Sequence, residues 1–116
     1  MSIGGLRQLK LPELRIGKLV AKVPVIQGGM AIRLSTAPLA AAVAREGGIG
    51  LIAASGMTVD ELRNEIKLAR SLTDGIIGIN MMVAARSFAV MIKTAIEEGI
   101  DLVVAGAGFS RDMYAL

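Results

Sequence analysis

Four apolar runs, centred near Val25, Leu51, Ile79 and Val103, recur roughly every 26 residues, and each ends in Gly, Asn or another small position. A strand buried on both faces reads as a short unbroken apolar run. The return to a parallel neighbour needs a helix-length insert, so this spacing is close to the minimum for one β/α unit. The pattern predicts an α/β chain of parallel β/α units, about the first four strands of a TIM (β/α)8 barrel. Residues 1–116 are expected to form the N-terminal half of one such domain, with 1–22 as a cap segment.

Within that frame the elements follow residue by residue. Leu11 to Lys22 alternates apolar and polar positions around Gly17, as a short hairpin closing the bottom of a barrel would. Val25–Gln27 is the first expected strand and runs into Gly28 and Gly29. Ser35 or Thr36 can cap a helix that has Pro38 in its first turn. Leu39 and Val43 lie on its inner face, among alanines small enough to let it lie close on the sheet. Gly47 and Gly48 end it before a strand at Ile49–Ala53.

Thr58 and Glu61 form a capping box for a helix with Val59, Leu62, Ile66 and Ala69 inward and Arg63, Asn64, Lys67 and Arg70 outward. Ile76–Asn80 is the third strand. Ser87 can cap a further helix with Phe88, Met91, Ile92, Ala95 and Ile96 inward and Lys93 paired with Glu97. Asp101–Ala105 is the fourth strand.

Composition narrows the chemistry. The apolar fraction is 53% and the mean hydropathy is +0.62. Yet the longest uncharged stretch, Gly47 to Val59, has 13 residues, short of the roughly 18 to 20 needed to span a bilayer. No membrane partner is expected. The N-terminus lacks the continuous apolar core of a secretory signal, so a cytoplasmic address is the simple reading.

The chain has no Cys and no His, which excludes thiolate chemistry, disulfides and the commonest metal ligand; no metal site is expected. With a net charge of +3, scattered basic residues and only Phe88, Phe109 and Tyr114 as aromatics, no nucleic-acid partner is expected either.

Ligands of β/α barrels gather at the C-terminal ends of the strands. Four clusters fall there: Gln27-Gly28-Gly29-Met30-Ala31, Ala54-Ser55-Gly56, Asn80-Met81-Met82 and Gly106-Ala107-Gly108. None holds a carboxylate pair or a nucleophile beside a base. They offer backbone, a carboxamide and soft apolar side chains, which suits holding a flat cofactor such as a flavin. Each also has a plainer reading. Gly28-Gly29 serves as a tight turn, Asn80 as a turn cap, and Met81 and Met82 as core filler. The Gly106-Ala107-Gly108 segment lacks the third glycine of a dinucleotide fingerprint.

Taken together and in order, Pro24-Val25-Ile26-Gln27-Gly28-Gly29-Met30-Ala31, Leu39-Ala40-Ala41-Ala42-Val43 with Gly47-Gly48-Ile49-Gly50, Gly78-Ile79-Asn80-Met81-Met82 and Gly106-Ala107-Gly108 resemble the N-terminal part of the nitronate monooxygenase (2-nitropropane dioxygenase) family, which includes FMN-dependent enoyl-acyl-carrier-protein reductases. The resemblance implies a β/α barrel with FMN at its mouth. Gly29, Met30 and Ala31 would line the flavin ring and Asn80 would hydrogen-bond its polar edge, with Gly28 and Gly106 as weaker cofactor-binding candidates. Ser55 and Gly56 match a loop position without a transferable role. NADH or NADPH, or a nitronate, would supply electrons, and an acyl thioester, another small molecule or oxygen would accept them. The Gly-Gly-Met-Ala and Asn-Met-Met segments lean towards the enoyl reductases.

Two other readings stand beside this one. The first is a non-catalytic half-barrel that self-associates, for instance as a homodimer, or pairs with a partner half, because an open parallel sheet exposes edges. The second is another β/α-barrel dehydrogenase, of the nucleotide-using purine-pathway kind, against which the Gln-Gly-Gly-Met segment argues. The family's catalytic His and its glycine-rich phosphate loops belong to later strands, beyond Leu116. These 116 residues alone are therefore expected to bind FMN weakly and to turn nothing over. Titration with FMN checks this, and tight flavin retention would contradict it.

Overall fold

The computed structural model describes residues 10–116. The start of the expected cap segment, and with it most of the stretch read against a secretory signal, lies outside the described residues. The hairpin comes first, as β1 (Leu14–Ile16) paired antiparallel with β2 (Leu19–Ala21). Gly17 makes its turn at φ +56°, a conformation that costs glycine little. Then follow α1 (Ala37–Arg45), β3 (Ile49–Ala53), α2 (Val59–Leu72), β4 (Ile76–Met82), α3 (Phe88–Glu97), β5 (Leu102–Gly106) and a 3-10 turn at Asp112–Ala115.

The sheet runs β3-β4-β5, every pairing is parallel, and each crossover is one helix. These are the expected β/α units, in barrel order. One expected strand is shorter than the sequence suggests: Val25–Gln27 is reduced to a single parallel bridge between Ile26 and Ile49. β4 is longer than expected, so Asn80 lies within the strand instead of at its end.

Strand alternation sorts the core into two sets. Ile52, Ile77, Ile79 and Met81 face the helices, against Leu62, Ile66, Ala69, Met91, Ile92 and Ala95. Ile49, Leu51, Ile76, Leu102 and Val104 face the other way, against Leu14, Ile16 and Ala21 of the hairpin. The hairpin therefore covers the strands near their N-terminal ends, at the bottom of the barrel. The strand register stacks the inner face in layers: Leu51, Gly78 and Leu102, then Ala53, Asn80 and Val104, then Met82 and Gly106. A side chain on Gly78 would sit 2.7 Å from Leu51 Cδ2, so this glycine makes room for two leucines in one layer.

α1 lies on the sheet through Ala37, Ala40, Ala41 and Ala44, all buried. The approach is close enough that a Cβ on Gly50 would fall on the Ala40 carbonyl, and one on Gly75 would lie 2.7 Å from the Ala44 carbonyl oxygen. The alanine face displaces the expected one, leaving Leu39 37% exposed. Thr36 stands at the N-cap of α1 but its side chain makes no capping bond. The Glu65 carboxylate of α2 accepts from Ala37 N at 2.7 Å instead, placing negative charge at the positive end of the helix dipole.

The charges on α2 correct the expectation in another respect. Arg63 is not left to water; it bridges to Glu97 (2.8 Å) at the end of α3 and to the C-cap residue Glu98 (2.9 Å), and those hydrogen bonds raise its pKa. Glu97 is thereby taken from Lys93. Arg70 donates to the Gly75 and Gly99 carbonyls, both at 3.0 Å, and to Asp101 at 2.7 Å, while Asp101 also accepts from Ile77 N. Ser87 stands at the N-cap of α3 without a capping bond, and Ile96 is 48% exposed.

Gly50→Ala tests the close approach of α1. With backbone on both sides of the clash neither partner can rotate away, so the expected loss is about 3 kcal/mol, read from urea denaturation.

Candidate functional site

The edge of β3 sets the geometry of the site. In a parallel ladder each residue of one strand bonds to two residues of its neighbour, and the segment before α1 begins this way: Ile49 N donates to Val25 O (2.9 Å) and Gln27 N to Ile49 O (3.0 Å). Beyond Gln27 the main chain leaves the ladder. The Gln27 side chain carries it on, its Oε1 accepting from Leu51 N and its Nε2 donating to Leu51 O, both at 3.1 Å. The next rung is made by Ser35, whose carbonyl accepts from Ala53 N at 2.9 Å. Residues 28–34 loop out between these two fixed points, over the C-terminal ends of the strands.

Ser35 holds the loop from inside. It is fully buried, its Oγ accepts from Met30 N (2.8 Å) and Gln27 Nε2 (3.0 Å), and it donates to Gly28 O (3.3 Å). Sequence reasoning gave Ser35 a helix-capping role and gave Gln27 none. The available signal was a buriable polar pair flanking a glycine turn, which alone does not distinguish a clamp from a cap.

The loop brings Gly29 onto Asn80. A Cβ on Gly29 would lie 2.6 Å from Asn80 Cβ and 3.0 Å from its Oδ1, so only glycine allows this contact. Asn80 Nδ2 donates to Val104 O at 3.1 Å, and the nearest atom to a Cβ on Gly106 is that same Nδ2, at 3.8 Å. Gly29, Asn80 and Gly106 thus meet on the inner face of the sheet. Gly28 has nothing within 4 Å of where its side chain would be. Met30 and Ala31 follow Gly29 on the exposed loop, with Met30 about half exposed, as is Met82 at the end of β4.

Ser55 and Gly56 support the site from behind. Ser55 Oγ accepts from Met82 N at 3.2 Å, and Gly56, at φ +84°, packs beneath Ile32. Among the described residues no cluster of Asp, Glu, His or Cys could hold a metal ion. A cleft of about 590 Å3 lies at the opposite end, between the hairpin and the turns that precede β3 and β4, and takes no part in this arrangement.

The outer rim of the loop is tied by charge. Arg33, at φ +59°, donates to both oxygens of Glu61 (3.0 and 3.1 Å) and to Gly56 O (3.4 Å). Thr58 Oγ1 accepts from Glu61 N at 3.1 Å, the expected half of the capping box, while the Glu61 carboxylate turns to Arg33. The Arg33 hydrogen bond, with a smaller contribution from Thr58, holds the Glu61 carboxyl below its usual range against the opposing effect of burial.

A depressed carboxylate pKa stabilises the fold above the unfolded-state value, and that stabilisation disappears as pH falls through the folded value. Glu61→Gln should therefore lower the denaturation midpoint at neutral pH. The difference from the parent chain should vanish as the solution is acidified past the Glu61 titration, and high salt should shrink it because the pair is exposed.

Comparison with known proteins places this geometry. The sequence profile of the family described as Nitronate monooxygenase matches residues 13–106. The chain is 35% identical over 77 residues to the (3aS,4S,5R,7aS)-5-hydroxy-7a-methyl-1-oxo-octahydro-1H-indene-4-carboxyl-CoA dehydrogenase of Mycobacterium tuberculosis, covering 66% of this chain and 21% of the relative. It is 42% identical over 60 residues to a probable nitronate monooxygenase of Staphylococcus haemolyticus, covering 52% of this chain and 16% of that one.

Among solved structures, FabK from Thermotoga maritima superposes with a TM-score of 0.72 at 35% identity, over 79% of this chain and 30% of FabK. A nitroalkane oxidase from Streptomyces ansochromogenes shares the fold with a TM-score of 0.75 at 23% identity, over 82% of this chain and 37% of that one. The chain thus spans about a fifth of the length of the first curated relative and 30% of FabK. With residues 13–106 of 116 matched, it belongs to the nitronate monooxygenase family.

Proposed function

We propose that these residues are the N-terminal half of a single FMN-binding barrel domain of an oxidoreductase, and that they form the ring-facing wall of its cofactor site. The observation that carries this reading is the seating of Gly29 on Asn80, which joins two motifs remote in sequence at the C-terminal end of the sheet. A flavin ring needs broad apolar contact on its faces and hydrogen-bonding groups at its edge. The residues present fit that requirement. Gly28 and Gly106 leave the surface open, Met30 and Ala31 supply soft apolar contact, and the Asn80 carboxamide, fixed by Val104 O, stands at the inner edge.

Bound FMN supplies reversible hydride acceptance, with NADH, NADPH or a nitronate as electron donor. The contribution of these residues is to orient and to exclude water. Gly29 lets the loop close down on Asn80, Met30 and Ala31 cover one side, and the Ser35 hydroxyl keeps Met30 in place through its backbone. They hold no proton-transfer group, so proton handling falls to other parts of the whole enzyme.

An acyl thioester is the substrate class we favour over a nitronate, because the Gly29-Met30-Ala31 and Asn80-Met81-Met82 segments lean towards the enoyl reductases and the M. tuberculosis relative is named for a carboxyl-CoA. A cytoplasmic address belongs to the same reading. Among the described residues no helix is long and apolar enough to cross a membrane.

Gly29→Ala tests the wall. The added methyl displaces Asn80, so the weak, saturable quenching of flavin fluorescence expected of the parent chain should need at least about tenfold more protein, or about 1.4 kcal/mol. Failure of the parent chain to quench FMN at any concentration would remove the reading.

A further inference from the structure

We infer that Gln27 is a positioning residue, whose side chain replaces a peptide unit of the sheet so that the Gly29 N–H is set free as a hydrogen-bond donor to the bound ligand. The inference rests on the flavin-site reading and adds to it a residue and an atom.

Every rung along this part of the β3 edge has a partner. Val25 O and Gln27 N fill the rungs to Ile49. Continued regularly, the next two rungs would be Leu51 N to Gln27 O and Gly29 N to Leu51 O. Both Leu51 groups are instead met by the Gln27 carboxamide, at 3.1 Å each, in the acceptor-and-donor pair that a peptide would present. The following rung, from Ala53 N, goes to the Ser35 carbonyl. The strand edge is therefore satisfied while the main chain is released from it.

Released groups next to a ligand wall are useful because a buried backbone polar group must find some partner. Among the described residues no acceptor lies on the Gly29 N–H, although Gly29 is partly buried against Asn80. The neighbouring Met30 N–H is already taken by Ser35 Oγ, and Gly28 O by Gln27 Nε2 and Ser35 Oγ. The free donor thus lies beside the carboxamide of Asn80, and the pair suits a planar heterocycle carrying acceptor atoms along one edge. Gln27 contributes no contact of its own; it acts by keeping Gly29 out of the ladder.

Amide exchange by NMR on the 15N-labelled chain, with and without FMN, separates the claims. In the parent chain the Leu51 amide should be protected and the Gly29 amide unprotected, and FMN should slow Gly29 exchange. In Gln27→Leu, either Leu51 should exchange about tenfold faster or more, or Gly29 should gain protection as the backbone re-enters the ladder. Gln27→Glu, which keeps an acceptor for Leu51 N but loses the donor to Leu51 O, Gly28 O and Ser35, should fold with Leu51 protected and bind FMN at least about tenfold more weakly; it carries the test if Gln27→Leu does not fold.

A protected Gly29 amide in the parent chain would overturn the inference. So would FMN quenching without slowed Gly29 exchange, unchanged protection of both amides in Gln27→Leu, or full FMN affinity in Gln27→Glu. FMN quenching combined with any of these leaves the flavin-site reading standing, whereas absence of quenching removes both.

Discussion

The edge of β3 must be hydrogen-bonded, and the way that demand is met shapes everything at the C-terminal end of this sheet. Ile49, Leu51 and Ala53 turn three successive sets of backbone groups towards the segment before α1. An unpaired buried N–H or C=O costs about 1–3 kcal/mol, so the edge cannot simply be abandoned where the chain has to leave it. Backbone, a glutamine side chain and a serine carbonyl take the rungs in turn. This relay leaves residues 28–34 at liberty to cross over the strand ends, and it explains why the first strand of the sheet amounts to one bridge.

Packing behind the sheet obeys a different rule. The crossover helix α1 presents alanines, and Gly50 in β3 and Gly75 in the turn before β4 answer them, so backbone meets backbone with almost nothing between. On the opposite face the same economy appears once, at Gly78, where a missing side chain lets Leu51 and Leu102 share a layer. The inner face therefore changes character along the strands. Its lower layers are filled by aliphatic side chains and the hairpin, and its upper ones narrow to Ala53, Asn80 and Gly106.

Much of this was legible in the sequence because it depends on periodicity. Ile49–Ala53 forms a strand because an unbroken apolar run bounded by glycines has few alternatives, and α2 starts at Val59 because Thr58 and Glu61 announce it. Gly29 and Asn80 were legible through the family resemblance as separate candidates around one ligand, whereas their direct contact is a matter of geometry. The departures share one cause, which is that long-range partners outbid local ones. Glu65 reaches α1 across a helix interface where Thr36 was nearer, Glu97 turns to Arg63 on α2 instead of Lys93 on its own helix, and Gln27 behaves as strand although it is a side chain. No spacing rule along a single chain encodes such choices.

Arg70 gives the two ends of the molecule different duties. Its guanidinium gathers the turn before β4, the turn after α3 and the Asp101 carboxylate into one knot, and Asp101 in turn grips the first residues of β4. That knot lies at the foot of the strands, at the start of β4, whereas Asn80 stands further along it. Mutational drift among the upper loops can therefore proceed without loosening the foundation, and a lineage with this layout is free to try new ligands above a base that stays the same.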